Sequence, residues 1–240
     1  MRDIEARRVA FVGNARQRIQ EDYLRILRYF RFFGRIANSP EHEDDTLQAI
    51  IENREGLSGV SAERIWTELK KIVVGRMASD VVKTMLDCGL AKYLGLPENC
   101  NIERFQKVSD HYGKNIESIT LLACLFENAA QVAEFHRKTK LSNGERELAE
   151  FIVQHRDDAV QNLANDDWWA DKIMDLEIKP GHHTEFRKMR ARVVELSKAV
   201  VAGGARIEYI KNYSVKQFPV NGEWKIVVNT LNCYVFELAN

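Results

Sequence analysis

Between residues 11 and 201, apolar side chains recur at i, i+3, i+4 and i+7 in one stretch after another. Period-two alternation is nearly absent there. That spacing lines one face of a helix, whereas a half-buried strand needs alternation. The stretches are 11–36, 44–55, 61–75, 78–86, 102–111, 116–126, 130–137, 145–155, 166–176 and 184–201, with short Gly, Pro, Asn and Asp breaks between them. The expected fold is therefore all-α, a multi-helix array of successive helix pairs. The first stretch reads as one long amphipathic helix, with Asn14 as its N-cap and Gly34 near its end. Ser58-Gly59-Val60 reads as a turn, and the next helix is capped by Ser61 and closed by Gly75. Phe30, Phe32 and Phe33 are expected in the core, as is the Trp168-Trp169 pair.

The end of the chain changes character. Residues 214–240 are rich in Val, Ile, Tyr and Phe, and Asn221-Gly222 suggests the turn of a β-hairpin. Four segments follow: a connection at 1–13, a first helical unit at 14–75, a helical body at 76–204, and a short non-helical tail at 205–240.

Charge is distributed unevenly. The whole chain balances 35 basic against 35 acidic residues. Residues 1–36, however, hold nine arginines, no lysine and four acids, a local excess of five positive charges. Arginine presents a planar fork of donors that matches bases and phosphates, whereas lysine is a compact point charge. The bias reads as a recognition surface. Cys88, Cys100, Cys124 and Cys233 stand far apart with no CxxC pair, so reduced thiols are expected and a zinc site is not. No apolar run approaches the ~18 residues of a membrane span. No secretory or organellar leader is visible in MRDIEARRV, and no membrane partner is expected.

Within the arginine-rich stretch, Glu21-Asp22-Tyr23-Leu24-Arg25 sets Asp22 and Arg25 three residues apart, on one face of a continuous helix. Cytosine and adenine each present an exocyclic amine beside a ring-nitrogen acceptor. A carboxylate can accept from the amine while a guanidinium donates to the ring nitrogen. Guanine and uracil reverse that pattern, and each mismatched buried group costs ~1–3 kcal/mol. The same spacing also describes an ordinary surface ion pair worth a few tenths of a kcal/mol. Arg28 and Arg31 follow in steps of three, so Arg31 comes to lie about 180° from Asp22 on a straight helix. Arg28 and Arg31 fit better as triphosphate contacts or as braces to a neighbouring domain.

The run VGNARQRIQEDYLRILRYFRFFGRI, followed by SAERIWTELKKI, closely resembles the neck of the class II tRNA nucleotidyltransferases, the CCA-adding enzymes, and most of all their eukaryotic, mitochondrial type. Weaker likeness continues through LAKYLGLPENC and ITLLACLF to FPVNG at 218–222. The resemblance implies the all-α neck and body of a poly(A) polymerase/CCA-adding enzyme C-terminal region. It implies that Asp22 and Arg25 select CTP and ATP, with Glu21 orienting them, and that Arg28 and Arg31 make further nucleotide contacts. Glu63, Arg64 and Glu68 match a motif that stabilises the neck.

The implied partners are tRNA, CTP and ATP, and a homodimer is compatible with them. The implied place is mitochondrial or nuclear-cytoplasmic. The family's Mg²⁺ is held by paired aspartates of a head domain, which nothing here matches, so no metal ligand and no catalytic residue is assigned. The resemblance then implies that residues 1–240 alone do not transfer nucleotides, and that residues 223–240 are an altered tail. Poly(A) polymerases share the neck motif, which leaves poly(A)-type addition and a non-catalytic RNA-binding module as alternatives. His182-His183 reads as a turn, and Lys70-Lys71, Lys138 and Lys140 read as helix surface that could touch tRNA phosphate.

Overall fold

The computed structural model describes residues 7–174, 183–213, 224–228 and 234–238. Its helices are α1 (Ala15–Glu21), α2 (Arg25–Ile36), α3 (Asp44–Asn53), α4 (Ala62–Val73), α5 (Ala78–Asp87), α6 (Ala91–Leu94) and α7 (Ile102–Tyr112). They continue with α8 (Ser118–Ala123), α9 (Ala129–Thr139), α10 (Asn143–Gln161), α11 (Asp166–Met174), α12 (His183–Ala199) and α13 (Gly203–Asn212). A 3₁₀ segment, Arg54–Gly59, links α3 to α4 and takes in Ser58 and Gly59 of the expected turn, with Val60 just after it. The all-α reading therefore holds across the body. The last helix, α13, runs across the 204/205 boundary drawn from sequence.

One large core runs from Ile19 to Val153 and includes Phe30, Trp66, Phe105, Phe126 and Phe135. A second, smaller core gathers Trp169, Ile173, Val193, Leu196 and Ile210 from α11, α12 and α13. Helix α4 sits at the centre of the first, packing on α2, α5, α8 and α9. Helix α12 joins the two. Its buried Glu195 accepts from the Glu117 backbone N–H at 3.0 Å and the Thr120 hydroxyl at 2.6 Å, capping the start of α8.

The expected single helix over 11–36 is in fact two. Asn14 does cap the first, its side chain accepting from the Gln17 N–H at 3.1 Å. The break falls at Asp22, whose backbone is extended at φ −155° and ψ 102°. Its carboxylate accepts the Leu24 N–H at 3.2 Å and its carbonyl accepts the Arg25 N–H at 2.9 Å. A short acid that can bond its own backbone competes with the helical ladder, which stops α1 and starts α2. Gly34 is no terminus. It is buried inside α2, where an added Cβ would meet Val81 Cγ2 of α5 at 3.3 Å, so it permits a close helix crossing. Ser61 does precede α4, although its side chain makes no cap bond, and α4 ends at Val73, before Gly75.

Phe30 and Phe33 are core, but Phe32 is not: it stands 42% exposed. Trp169 is fully buried and Trp168 partly so. The C-terminal residues include an antiparallel pair, β1 (Trp224–Val228) and β2 (Tyr234–Leu238), with Trp224 opposite Leu238 and Val228 opposite Tyr234. The Asn221-Gly222 dipeptide, like Cys233 and residues 179–182 of KPGHH, lies outside the described residues.

His42 gives the first unit a pH dependence. Its ring stacks on Phe33 at 3.7 Å between centroids and its Nδ1 lies 2.9 Å from the Tyr29 hydroxyl. Burial lowers its pKa from 6.5 to about 4. The unfolded chain therefore binds a proton that the folded chain refuses across that window. The contribution is complete above pH 6.5 and is lost as pH falls toward 4, by ~1 kcal/mol after discounting for partial solvent contact. Thermal melts at pH 7.5 and pH 4.5 should show the loss, and His42→Phe should shrink it. An unchanged pH dependence in that variant would contradict this assignment.

Candidate functional site

The junction of α1 and α2 collects the charged residues picked out from the sequence. Glu21, at the end of α1, accepts from Arg18 at 2.6 Å and from Arg25 at 2.5 Å. Those hydrogen bonds, Arg25's foremost, hold its carboxyl below the usual carboxylate range. Arg25 also donates to the Arg18 carbonyl at 2.7 Å. Glu21 thus fixes the Arg25 guanidinium.

Asp22 has different partners. Arg64 Nη2 of α4 lies 3.3 Å from its carboxylate and Arg28 Nη1 lies 3.8 Å away. The mutual Asp22–Arg25 pairing on one helix face, expected from the spacing, does not form because the helix breaks between them. The two groups instead flank the break three residues apart, each held by a neighbour. Asp22's contacts are long compared with Glu21's, and an ionised carboxylate has about four acceptor sites. Its oxygens keep capacity for a further donor, and Arg25 keeps N–H donors beyond those of its bonded Nη1.

The three α4 residues point three ways. Glu68 faces inward, and Arg31 Nη1 of α2 lies 3.0 and 3.2 Å from its two oxygens. Both side chains are largely buried, so this pair ties α2 to α4. Helix arithmetic placed Arg31 opposite Asp22, and there it braces rather than faces a ligand. Arg64 reaches Asp22. Glu63 is exposed and lies 3.8 Å from Lys140 at the end of α9.

Sequence reasoning missed two features. Arg156 lies on the apolar face of α10, in step with Leu148, Ala149, Ile152, Val153 and Ala159, and that position was the available signal. It is only 3% exposed and binds backbone carbonyls. The other is a basic cavity of about 650 Å³ lined by Arg35, Lys71, Arg76 and Lys114 with Val74 and Gly75. These cations are scattered from residue 35 to 114, so no local pattern could mark them. Among the described residues, no group of three or more His, Cys, Asp or Glu comes together to hold a metal ion. The described residues therefore offer no carboxylate cluster of the kind that would hold a magnesium ion. Cys88, Cys100 and Cys124 are free thiols, all pushed up by burial, to about 11, 12 and 12.

Residues 41–100 match the family described as "Probable RNA and SrmB- binding site of polymerase A". The chain is 41% identical over 229 residues to CCA tRNA nucleotidyltransferase 1, mitochondrial, of Mus musculus, a match covering 92% of this chain and 50% of that one. The Homo sapiens protein of the same name is 41% identical over 225 residues with the same coverage. The CCA-adding enzyme of Lactococcus lactis is 30% identical over 169 residues, covering 69% of this chain and 40% of that one. The chain thus spans about half the length of the relatives it matches first.

Two solved structures share the fold. The Thermotoga maritima CCA-adding enzyme complexed with tRNA superposes with TM-score 0.53 at 16% identity, covering 85% of this chain and 52% of that one. A CCA-adding enzyme in complex with ATP gives TM-score 0.54 at 16% identity, covering 86% and 51%.

Proposed function

We propose that this chain, a relative of the CCA tRNA nucleotidyltransferases along 92% of its length, supplies the nucleotide-selecting and RNA-holding part of CCA addition to tRNA 3′ ends. CTP and ATP are the nucleotides it selects. The observation that carries this reading is the α1–α2 break, which sets a loosely held Asp22 carboxylate three residues before an Arg25 guanidinium fixed by Glu21. The carboxylate accepts from the exocyclic amine of cytosine or adenine, and the guanidinium donates to the adjacent ring nitrogen. Arg28, exposed one turn further along α2, serves the phosphates. The Arg31–Glu68 pair keeps α2 at a fixed distance from α4, so that Arg64 can hold Asp22 until a base arrives. Any Mg²⁺ that assists transfer is bound by residues other than those described, and no step is routed through it. The mitochondrial names of the mouse and human relatives support a mitochondrial location.

The matched description of a polymerase A RNA-binding region favours poly(A)-type addition as a second reading. Calorimetric titration with CTP, ATP, GTP and UTP tests both. Binding of CTP and ATP at least tenfold tighter than GTP and UTP is expected from one or two mismatched groups. Preference for ATP alone would favour the second reading, and equal affinities for all four would overturn both.

A further inference from the structure

Four cations meet without an acid where the C-terminal ends of α2 and α4 approach the loop after α7. Arg35, Lys71, Arg76 and Lys114 line this cavity, whose walls also include Val74 and Gly75. Arg76 donates to the Ala37 carbonyl, and Lys71 lies 3.9 Å from Glu68, which is already engaged by Arg31. Among the described residues, Arg35 and Lys114 make no ion pair.

Cations in a last helical turn commonly counter the helix dipole, which accounts for Arg35 on α2 and Lys71 on α4. It does not account for Lys114, which follows Gly113 in the loop between α7 and α8. A converging set of like charges with no counter-charge in its walls costs stability unless an anion joins it.

The approach to the cavity carries a second, independent feature. Phe32 is 42% exposed one turn before Arg35, and the Arg31 guanidinium lies over its ring at 4.5 Å. Arg28, Phe32 and Arg35 share one outward stripe of α2, spaced over roughly 10 Å of axis at 1.5 Å per residue. An aromatic ring set between cations is how proteins hold single strands: phosphates meet the cations and a base stacks on the ring. Inorganic anions would use the cavity but not the ring, and a duplex would hide its base faces.

We propose that the Arg35–Lys71–Arg76–Lys114 cavity binds backbone phosphates of a single-stranded RNA 3′ end, with a neighbouring base stacked on Phe32. The strand then runs along α2 toward Asp22 and Arg25. This rests on the reading that the chain serves an RNA end.

The test is fluorescence anisotropy of a labelled 12-nucleotide single-stranded RNA with the full chain, across 50–200 mM salt. Each phosphate contact on a single strand contributes about 0.7 to the log–log salt slope. Arg35→Gln combined with Lys114→Gln should reduce that slope by about 1.4 and weaken binding about tenfold or more. The charge-keeping pair Arg35→Lys with Lys114→Arg should retain the original slope. Phe32→Ala should weaken binding about fivefold or more. These side chains are exposed, and circular dichroism confirms folding of each variant.

An unchanged slope in the Gln pair overturns the proposal. So does Phe32→Ala that binds the RNA as tightly as the original chain, since no base would then stack on that ring. The four-nucleotide titration contains no RNA, so failure of base selection there is distinguishable from failure here.

Discussion

Arg156→Ala should lower the unfolding free energy by about 3–5 kcal/mol, a large share of the ~5–15 kcal/mol that holds a typical domain together. Arg156 is buried, and its guanidinium donates to the carbonyls of Ala123 at 3.1 Å, Phe126 at 2.6 Å and Glu127 at 3.0 Å. These carbonyls lie at and just beyond the end of α8, which has no further helical turn to satisfy them. Arg104 shares the task, reaching the Cys124 carbonyl at 3.2 Å and that of Phe126 at 3.1 Å. Removing Arg156 strands the buried Ala123 carbonyl, at ~1–3 kcal/mol, takes a donor from the Phe126 carbonyl, and opens a cavity as well.

Burial and the nearby Arg104 depress the Arg156 pKa, yet the side chain stays charged because arginine begins so high. Lysine cannot span three carbonyls with one compact head, so Arg156→Lys should recover little. Urea denaturation monitored by circular dichroism measures the loss. A change below ~1 kcal/mol would mean that Arg104 and water replace the missing donors.

Asp22→Ala should reduce the preference for CTP over UTP from at least tenfold to near unity. The effect follows from removing the one acceptor that distinguishes an amine from a carbonyl at that edge, a group worth ~1–3 kcal/mol when its partner is buried. Asp22 also closes the turn that leads into α2 by accepting the Leu24 N–H, so the same substitution should cost about 1 kcal/mol of stability. Asp22→Asn separates the two roles. Its side-chain oxygen keeps that turn closed, while the loss of charge releases Arg64 and Arg28 and its NH₂ opposes the incoming amine. Stability near the original with selectivity lost is the expected result for Asn. If selectivity survives in both variants, the base is read elsewhere.

The helical body was legible because burying an apolar face at the 3.6 period leaves a mark in every stretch. Helix caps were legible where the capping side chain is local, as at Asn14. What escaped was set by distance or by competition. The break at Asp22 lies inside an unbroken apolar period, and only the acid's ability to bond the Leu24 N–H overrides it. Gly34 looked like a stop because glycine ends helices, but its reason is the Val81 methyl packed against it from 47 residues away. Phe32 was expected in the core with Phe30 and Phe33, although its spacing of four from Arg28 and three from Arg35 puts it on their side of the helix.

In the site, Glu21, Asp22, Arg25 and Arg28 could be named from sequence, and so could Arg31 and Glu68 singly. Their pairing could not, since Arg64 and Glu68 arrive from α4 across a fold that no local pattern encodes. The basic cavity is the extreme case, its four cations brought together only by the packing of α2, α4 and the loop after α7.

The most direct measurement is a double-mutant cycle between the Asp22 carboxylate and the exocyclic amine of the base. It compares CTP with its analogue lacking the 4-amino group, on the original chain and on Asp22→Ala. A carboxylate that receives the amine predicts that deleting the amine weakens binding about tenfold in the original chain and leaves the variant unaffected. An equal penalty in both proteins would contradict it, because the amine would then be recognised without Asp22.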